Sequence, residues 1–451
     1  ALAGDGTVGA DPGFVLRMLA RLPLPARITE LLVAYWVDTG ARAGFYMLLN
    51  TAVTGGLGII YWVVAARLYP QVAVGRGAAL QSAVVTLAGF GEMHLSGMLM
   101  RFLPIAEAHS RRLVLLAYGA AAAATLVLTG IAIGGVNVLT DPSSPLRIPT
   151  LGALLFLAST VGTVLFTLED AVLMALRKTV WVPLENGGFG IAKIILLVVF
   201  SGFGTWGAVF ASGTLPLALA LPLITWLLFG WLLPKGGKHG WVVTEARKKE
   251  IRRFATGDAV GGISGAAVTP LLPVVVTAVL GPRQNAIFYQ AIMYSMTIDM
   301  ISVNYSMPLI VEAAHDPGAL SRLLISTIRR TYMVLGPVVL VFVLGSSLLM
   351  HMYGPAYVKG ATLLSLLALA CLPRALTVVL WSLCRVEQRT RFSGLIQLTT
   401  AVVTIGGTAV AAQYGLNAVG FLIVGIQLVV ATFAAFYIRH AIVRARSAKA
   451  A

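Results

Sequence analysis

Charge is what this sequence lacks most. Only 11% of its 451 residues are Asp, Glu, Lys or Arg, and the acids number just 17. A soluble domain carries roughly 25% charged residues, so less than half the usual supply of water-facing side chains is present and a water-soluble globule is excluded. Cysteine is nearly absent: Cys371 and Cys384 lie on one apolar run, at a spacing that puts them on different sides of a helix. They and the histidines lack metal-ligand spacing, and the two thiols read as small buried hydrophobes. No G-x-x-x-x-G-K-[ST] loop and no H-E-x-x-H helix occurs, which removes the usual signs of ATP binding and zinc-peptidase chemistry. A leader of basic start, apolar core and small-residue cleavage site is also missing from the first forty residues.

What is present is apolar. The chain is 58% hydrophobic with a mean hydropathy of +0.88, and its apolar runs reach the roughly 20 residues that cross a bilayer. Bounded by charge or by Pro and Gly breaks, the expected spans are 43–68, 74–100, 113–138, 150–175, 183–201, 205–233, 254–280, 286–311, 331–352, 361–384, 392–413 and 415–438. The stretch PKGGKHGWVVTEARKKEIRRF, Pro234 to Phe254, divides them six and six. The organisation expected is a surface-lying segment over 1–42, six helices over 43–233, a basic linker over 234–253, six helices over 254–438 and a basic tail over 439–451. Within the first segment Arg17, Arg21 and Arg27 alternate with apolar residues, and Pro23 and Pro25 break any single helix.

The net charge of +16 is distributed as loop charge, which orients membrane helices, and not as a nucleic-acid surface. Of the 33 basic residues, 26 fall on alternate connections, among them Arg101, Arg177, the run from Arg247 to Arg253, Arg322, Arg389 and Arg439. The other connections hold Arg67, Arg76, Arg147, Arg283 and Lys359. That split places both termini in the cytoplasm. The outer loops are short, with little acid beyond Asp141, so a membrane enzyme is not expected, nor a cofactor.

The chain also repeats itself. Leu68–Pro70 matches Leu280–Pro282 at an offset of 212, while GFGTWGAVF (Gly202–Phe210) matches AQYGLNAVGF (Ala412–Phe421) at 211, with Thr179 on Thr390 at the same offset. Duplication of a six-helix unit explains both echoes. Because six is even, both copies insert the same way up, related by an axis along the membrane normal. The fold class expected is an all-α polytopic membrane protein: about twelve transmembrane helices in two six-helix lobes around a central cavity.

ARLYPQVAVGRGAALQSA from Ala66, GMLMRFLP at Gly97–Pro104 and GPAYVKGATLLSLLALACLPRALTVVLWSL at Gly354–Leu383 resemble the polysaccharide (O-antigen type) flippases of the multidrug/oligosaccharidyl-lipid/polysaccharide exporter superfamily. The resemblance runs from about Gly44 to Arg439. It implies alternating access in a bacterial cytoplasmic membrane, moving a polyprenyl-diphosphate-linked oligosaccharide from the inner to the outer leaflet. An anionic polyprenyl-linked glycolipid, membrane lipids and cell-envelope polysaccharide assembly proteins are then the partners, and nucleic acid is not. Peptidoglycan-precursor flippases of the superfamily carry arginines further up the first helix. Thr51 to Val64 has none, which counts against that substrate. A cation-coupled multidrug exporter on the same fold is the alternative.

Charge inside a span marks a site, since it is costly in hydrocarbon unless it meets a partner or a wet cavity. Lys193 and Arg374 lie mid-span without charged counterparts in the other copy, and are expected to attract the substrate diphosphate or to hold helices together as ion pairs. Asp299 shares a helix face with Ser295, Ser302 and Ser306, and with Asp170 and Asp258 is a candidate for ion coupling. Glu169 and Glu185 are further acids, the latter near a helix end. Tyr46, Asn50 and Thr54 form a polar stripe on the first helix, with Tyr61 close to its line, and Gln81 and Glu92 share a face of the second; Tyr46, Asn50, Gln81 and Glu92 are expected to line the cavity and bind substrate. Pro216, Pro222, Pro270, Pro273 and Pro337 are expected to kink their spans.

Overall fold

A computed structural model describes residues 39–106, 109–141, 144, 147, 150–234, 259–315 and 317–450. Among the described residues all regular structure is helical, and eleven helices are long and apolar enough to cross a membrane. The twelfth expected span is the helix Ala259–Leu280, of which Thr269–Leu280 is the described apolar part. The linker over 235–253, with Asp258 beyond it, lies outside the described residues.

The first half runs α1 (Thr39–Leu68), α2 (Gln71–Glu92), a short α3 (Leu95–Phe102), α4 (Ser110–Leu139), α5 (Thr150–Ala175), α6 (Trp181–Val199), α7 (Trp206–Thr214) and α8 (Leu217–Leu227). Pro216 sits at the break between α7 and α8, which together make one span, and Pro222 lies inside α8. The second half runs α9 (Ala259–Leu280), α10 (Pro282–His315), α11 (Leu320–Leu344), a short α12 (Ser346–His351), α13 (Ala361–Val386), α14 (Thr390–Ala411) and α15 (Leu416–Ala450). Pro270 and Pro273 lie within α9, Pro337 within α11 and Pro373 within α13.

The repeated stretches turn the chain at corresponding places, although Gly281 takes φ +82° where its counterpart Tyr69 does not. Pro70 precedes α2 and Pro282 opens α10, each where a missing N–H costs the helix nothing. In the second echo, a 3-10 turn (Phe200–Phe203, then Ala412–Tyr414) ends in Gly204 at φ +58° and Gly415 at φ +102° before the next helix starts. A third correspondence appears only in the backbone: Arg177 and Gln388, also 211 apart, both take φ near +58°. Packing repeats as well, with α1 on α6 as α9 is on α14, and α2 on α5 as α10 is on α13.

A methyl group added at Gly204 or Gly415 would meet nothing within 4 Å, so alanine there pays only for backbone strain. Gly415, at φ +102° and ψ 173°, occupies a region that is essentially glycine-only, and Gly415→Ala should cost about 2 kcal/mol. Gly204, in the ordinary left-handed region at φ +58° and ψ 12°, should cost about 1 kcal/mol. Thermal unfolding in detergent checks the order, which equal shifts would contradict.

The halves meet at one end. Among the described residues, the contact between them is carried mainly by α2 against α9 and α10. A single buried core crosses from one half to the other there, joining Tyr61, Trp62 and Val74 to Val276, Phe288 and Tyr353. The Trp62 and Tyr289 rings stand 4.6 Å apart. Asn285 Nδ2 donates to the Gly75 carbonyl (2.8 Å), and Arg67 donates to the carbonyls of Met352 and His351. The remaining cores each stay within one half. The bundle is therefore sealed at the end that carries the Leu68–Gln71 corner, and among the described residues no buried core joins the halves towards the end of the basic loops.

Candidate functional site

In the second half, Asp299 lies 17 residues into α10, about 26 Å along it, and Arg374 is central in α13. Their side chains meet, with Arg374 Nε 3.3 Å from Asp299 Oδ2. Asp299 is 8% exposed, and its Oδ1 has no hydrogen-bond partner. The pair borders a cavity of about 70 Å³ whose walls mix apolar side chains with Ser295, Thr377, Gln397 and Gln427. Ser302 and Ser306, on the same helix face, are buried with unpartnered hydroxyls.

The first half presents a different arrangement around Lys193. Among the described residues no acid lies within ion-pair distance of its ammonium, which sits 4.8 Å above the Tyr61 ring and 5.2 Å above the Phe189 ring. Ring faces attract a cation without neutralising it. The group opens on a cavity of about 180 Å³ bordered by Thr54, Gly58, Tyr61, Asn186, Phe189 and Gly190. Gly187 and Gly190 let α6 approach α1 closely: a methyl at Gly190 would lie 2.8 Å from Leu57 Cδ1. Tyr61 is held from behind, its hydroxyl 2.9 Å from the Val209 carbonyl and 3.0 Å from Ser212 Oγ, and accepting from Gln81 Nε2 at 3.2 Å. Gln81 thus faces α7, where its amide fills the space beside Gly213. It orients Tyr61 and does not border the Lys193 cavity.

The other candidates are dispersed. Asn50 is half-buried with an unpartnered Oδ1, one turn before Thr54, and Tyr46 is half-buried one turn further back. Glu92 accepts from the Ser96 backbone N–H at 3.0 Å, capping α3 after Met93 and His94 turn the chain through positive φ. Asp170 accepts both oxygens' hydrogen bonds from Asn186 Nδ2 at 3.1 Å, so it reaches the Lys193 cavity through Asn186.

Sequence reasoning missed a convergence. Glu169, fully buried on α5, accepts from Thr225 Oγ1 of α8 at 2.6 Å. Glu185, 7% exposed on α6, lies against Glu169 and Asp170, and apart from its contact with Glu169 neither of its oxygens has a hydrogen-bond partner. The Tyr118 hydroxyl of α4 faces the two glutamates and is likewise unpartnered. No basic group lies within 4 Å of these acids among the described residues. Asn186 and Phe189 carried a usable signal: they lie seven and four residues before Lys193, on its helix face.

No family model and no curated protein matches the sequence. Solved structures do match its shape. The lipid II flippase MurJ in an inward closed conformation superposes with a TM-score of 0.68 at 12% identity, over 88% of this chain and 87% of that one. A multidrug-resistance MATE-family transporter of the MOP superfamily, inward-facing, gives 0.60 at 15% identity over 90% and 96%. A MOP-superfamily transporter from Pyrococcus furiosus, reported to have a binding pocket of reversed polarity, gives 0.59 at 15% over 90% and 96%. At such identities the likeness is one of fold, and the chain has the fold shared by these MOP-superfamily transporters.

Proposed function

We propose that this chain is an alternating-access transporter of an anionic lipid-linked substrate, a flippase for a polyprenyl-diphosphate oligosaccharide or a related glycolipid, and not an enzyme. The observation that carries the reading is Lys193: an ammonium within the membrane, open to a cavity, faced by two aromatic rings and by no acid among the described residues. A phosphate is the ligand that such a group lacks, since a charge-assisted hydrogen bond is strongest where neither partner is otherwise neutralised. Arg374 is a second phosphate ligand held in reserve by Asp299. When a diphosphate reaches Arg374, Asp299 is released to exchange a proton or cation, which couples the two events. With the basic loops in the cytoplasm of a bacterial inner membrane, the sealed end faces outward and the described conformation is open inward. The MurJ and MATE structures support the transport class.

The test is reconstitution. Lys193→Gln in proteoliposomes should slow translocation of a fluorescent diphosphate-linked glycolipid by about ten-fold, the scale of one lost charge-assisted hydrogen bond, at normal abundance. Wild-type translocation by this variant would remove Lys193 from the substrate path.

The acids Glu169, Asp170 and Glu185 favour a second reading, export of organic cations, because they bring three carboxyl groups near the first-half cavity with no basic partner among the described residues. Drug-resistance assays separate the two. A multidrug exporter loses resistance in Glu185→Gln and keeps it in Lys193→Gln, and the flippase confers none in either.

A further inference from the structure

Arg76 and Arg147 are two of the five basic residues on the side of the sequence that carries little charge, and the fold brings them together. Arg76 Nη2 donates to the Arg147 carbonyl at 2.5 Å, and Arg147 Nη2 donates to the Asn137 carbonyl. The Arg76 guanidinium stacks over the Trp206 ring at 4.1 Å. Both Nε atoms are buried without a hydrogen-bond partner, and among the described residues neither arginine has a carboxylate within 4 Å. Two arginines linked through a side-chain-to-backbone bond, whose guanidiniums meet carbonyls and a ring face but no acid among the described residues, are short of an anion.

Directly beside Arg76 lies a cavity of about 210 Å³ whose walls are almost entirely apolar, among them Leu80, Ala83, Ala132 and Phe156 of the first half and Leu271 and Val274 of α9. A basic group at the mouth of an apolar slot, within a membrane, matches a lipid with a charged head and a hydrocarbon chain. We infer that this is a binding site for an anionic phospholipid, its phosphate on Arg76 and Arg147 and one acyl chain in the slot. It is separate from the cavities at Lys193 and Arg374. Because the slot is walled by both halves beside the sealed end, the bound lipid also stabilises the conformation in which that end is closed. Binding to one state and not the other shifts the equilibrium towards it.

The full chain, purified in mild detergent and titrated with phosphatidylglycerol or phosphatidylcholine, provides the test by native mass spectrometry. Phosphatidylglycerol should be retained preferentially. Arg76→Gln should weaken its retention about five-fold, the factor for one basic residue near a lipid headgroup, and Arg76→Lys should recover most of it. Ala132→Phe fills the slot from half-buried α4 and should reduce retention with both arginines intact. Equal retention of the two lipids, or unchanged retention in both Arg76→Gln and Ala132→Phe, overturns the proposal. Competition by millimolar inorganic phosphate alone, matching that of phosphatidylglycerol, would make this a simple anion site and also overturn it.

Discussion

Arg374→Gln should destabilise the protein by about 3–5 kcal/mol, the cost of orphaning one member of a buried ion pair, and Asp299→Asn should cost clearly less. The asymmetry follows from exposure. The Asp299 side chain is 11% exposed while that of Arg374 is 30% exposed, so removing Arg374 strands a buried carboxylate. Removing Asp299 leaves a guanidinium that can turn toward the Gln397 and Gln427 amides on the wall of the cavity beside it. The double variant should recover most of the loss, since replacing both partners removes the unpaired charge altogether. A double-mutant cycle on thermal unfolding in detergent reads all four corners. Additive effects would mean that the 3.3 Å contact carries no coupling energy. Translocation adds an independent readout: if Arg374 ligates substrate in the cycle, the double variant regains stability and stays slow. Recovery of both together would make the pair a purely structural strut.

Much of this arrangement was legible in the sequence. Apolar runs marked the spans because bilayer thickness sets helix length. The duplicated corners were visible because a proline opening a helix and a glycine at positive φ are demanded by backbone geometry, whatever the side chains around them. The third corner, at Arg177 and Gln388, escaped notice because those residues share a backbone conformation and no side-chain chemistry. Mid-span charge singled out Lys193, Arg374 and Asp299. Their environments were not legible, since Asp299 and Arg374 belong to different helices and no periodicity relates the rotation of one to the other. The same gap hid the meeting of Glu169, Glu185, Tyr118 and Thr225 from four separate helices. Gln81 shows the converse: a polar residue in an apolar run suggested a cavity wall, and it instead supports Tyr61 from the side facing α7.

Gly75→Ala should open the sealed end, the largest conformational effect expected of any single methyl in this chain. A Cβ at Gly75 would lie 1.7 Å from the Pro282 carbonyl oxygen, 2.7 Å from its carbon and 2.9 Å from the Ala286 nitrogen. All three are backbone atoms at the start of α10, so no rotamer change relieves the overlap and α2 must move away from α10 as a body. That motion breaks the Asn285 bond to the Gly75 carbonyl and separates the Trp62 and Tyr289 rings. Overpacking of this kind costs about 1–3 kcal/mol or more, and here it falls on the interface through which the halves mainly meet. Gly77 is the control. A methyl there meets Val209 Cγ1 at 2.7 Å, a side chain of the same half, so Gly77→Ala strains the packing of α2 on α7 without prying the halves apart. Spin labels at Arg67 and Met352, which touch across the sealed end, should report a longer and broader distance distribution in Gly75→Ala and an unchanged one in Gly77→Ala. An unchanged distribution in both would show that α2 and α10 can slide past the added methyl, and that the Gly75 contact does not hold the end shut.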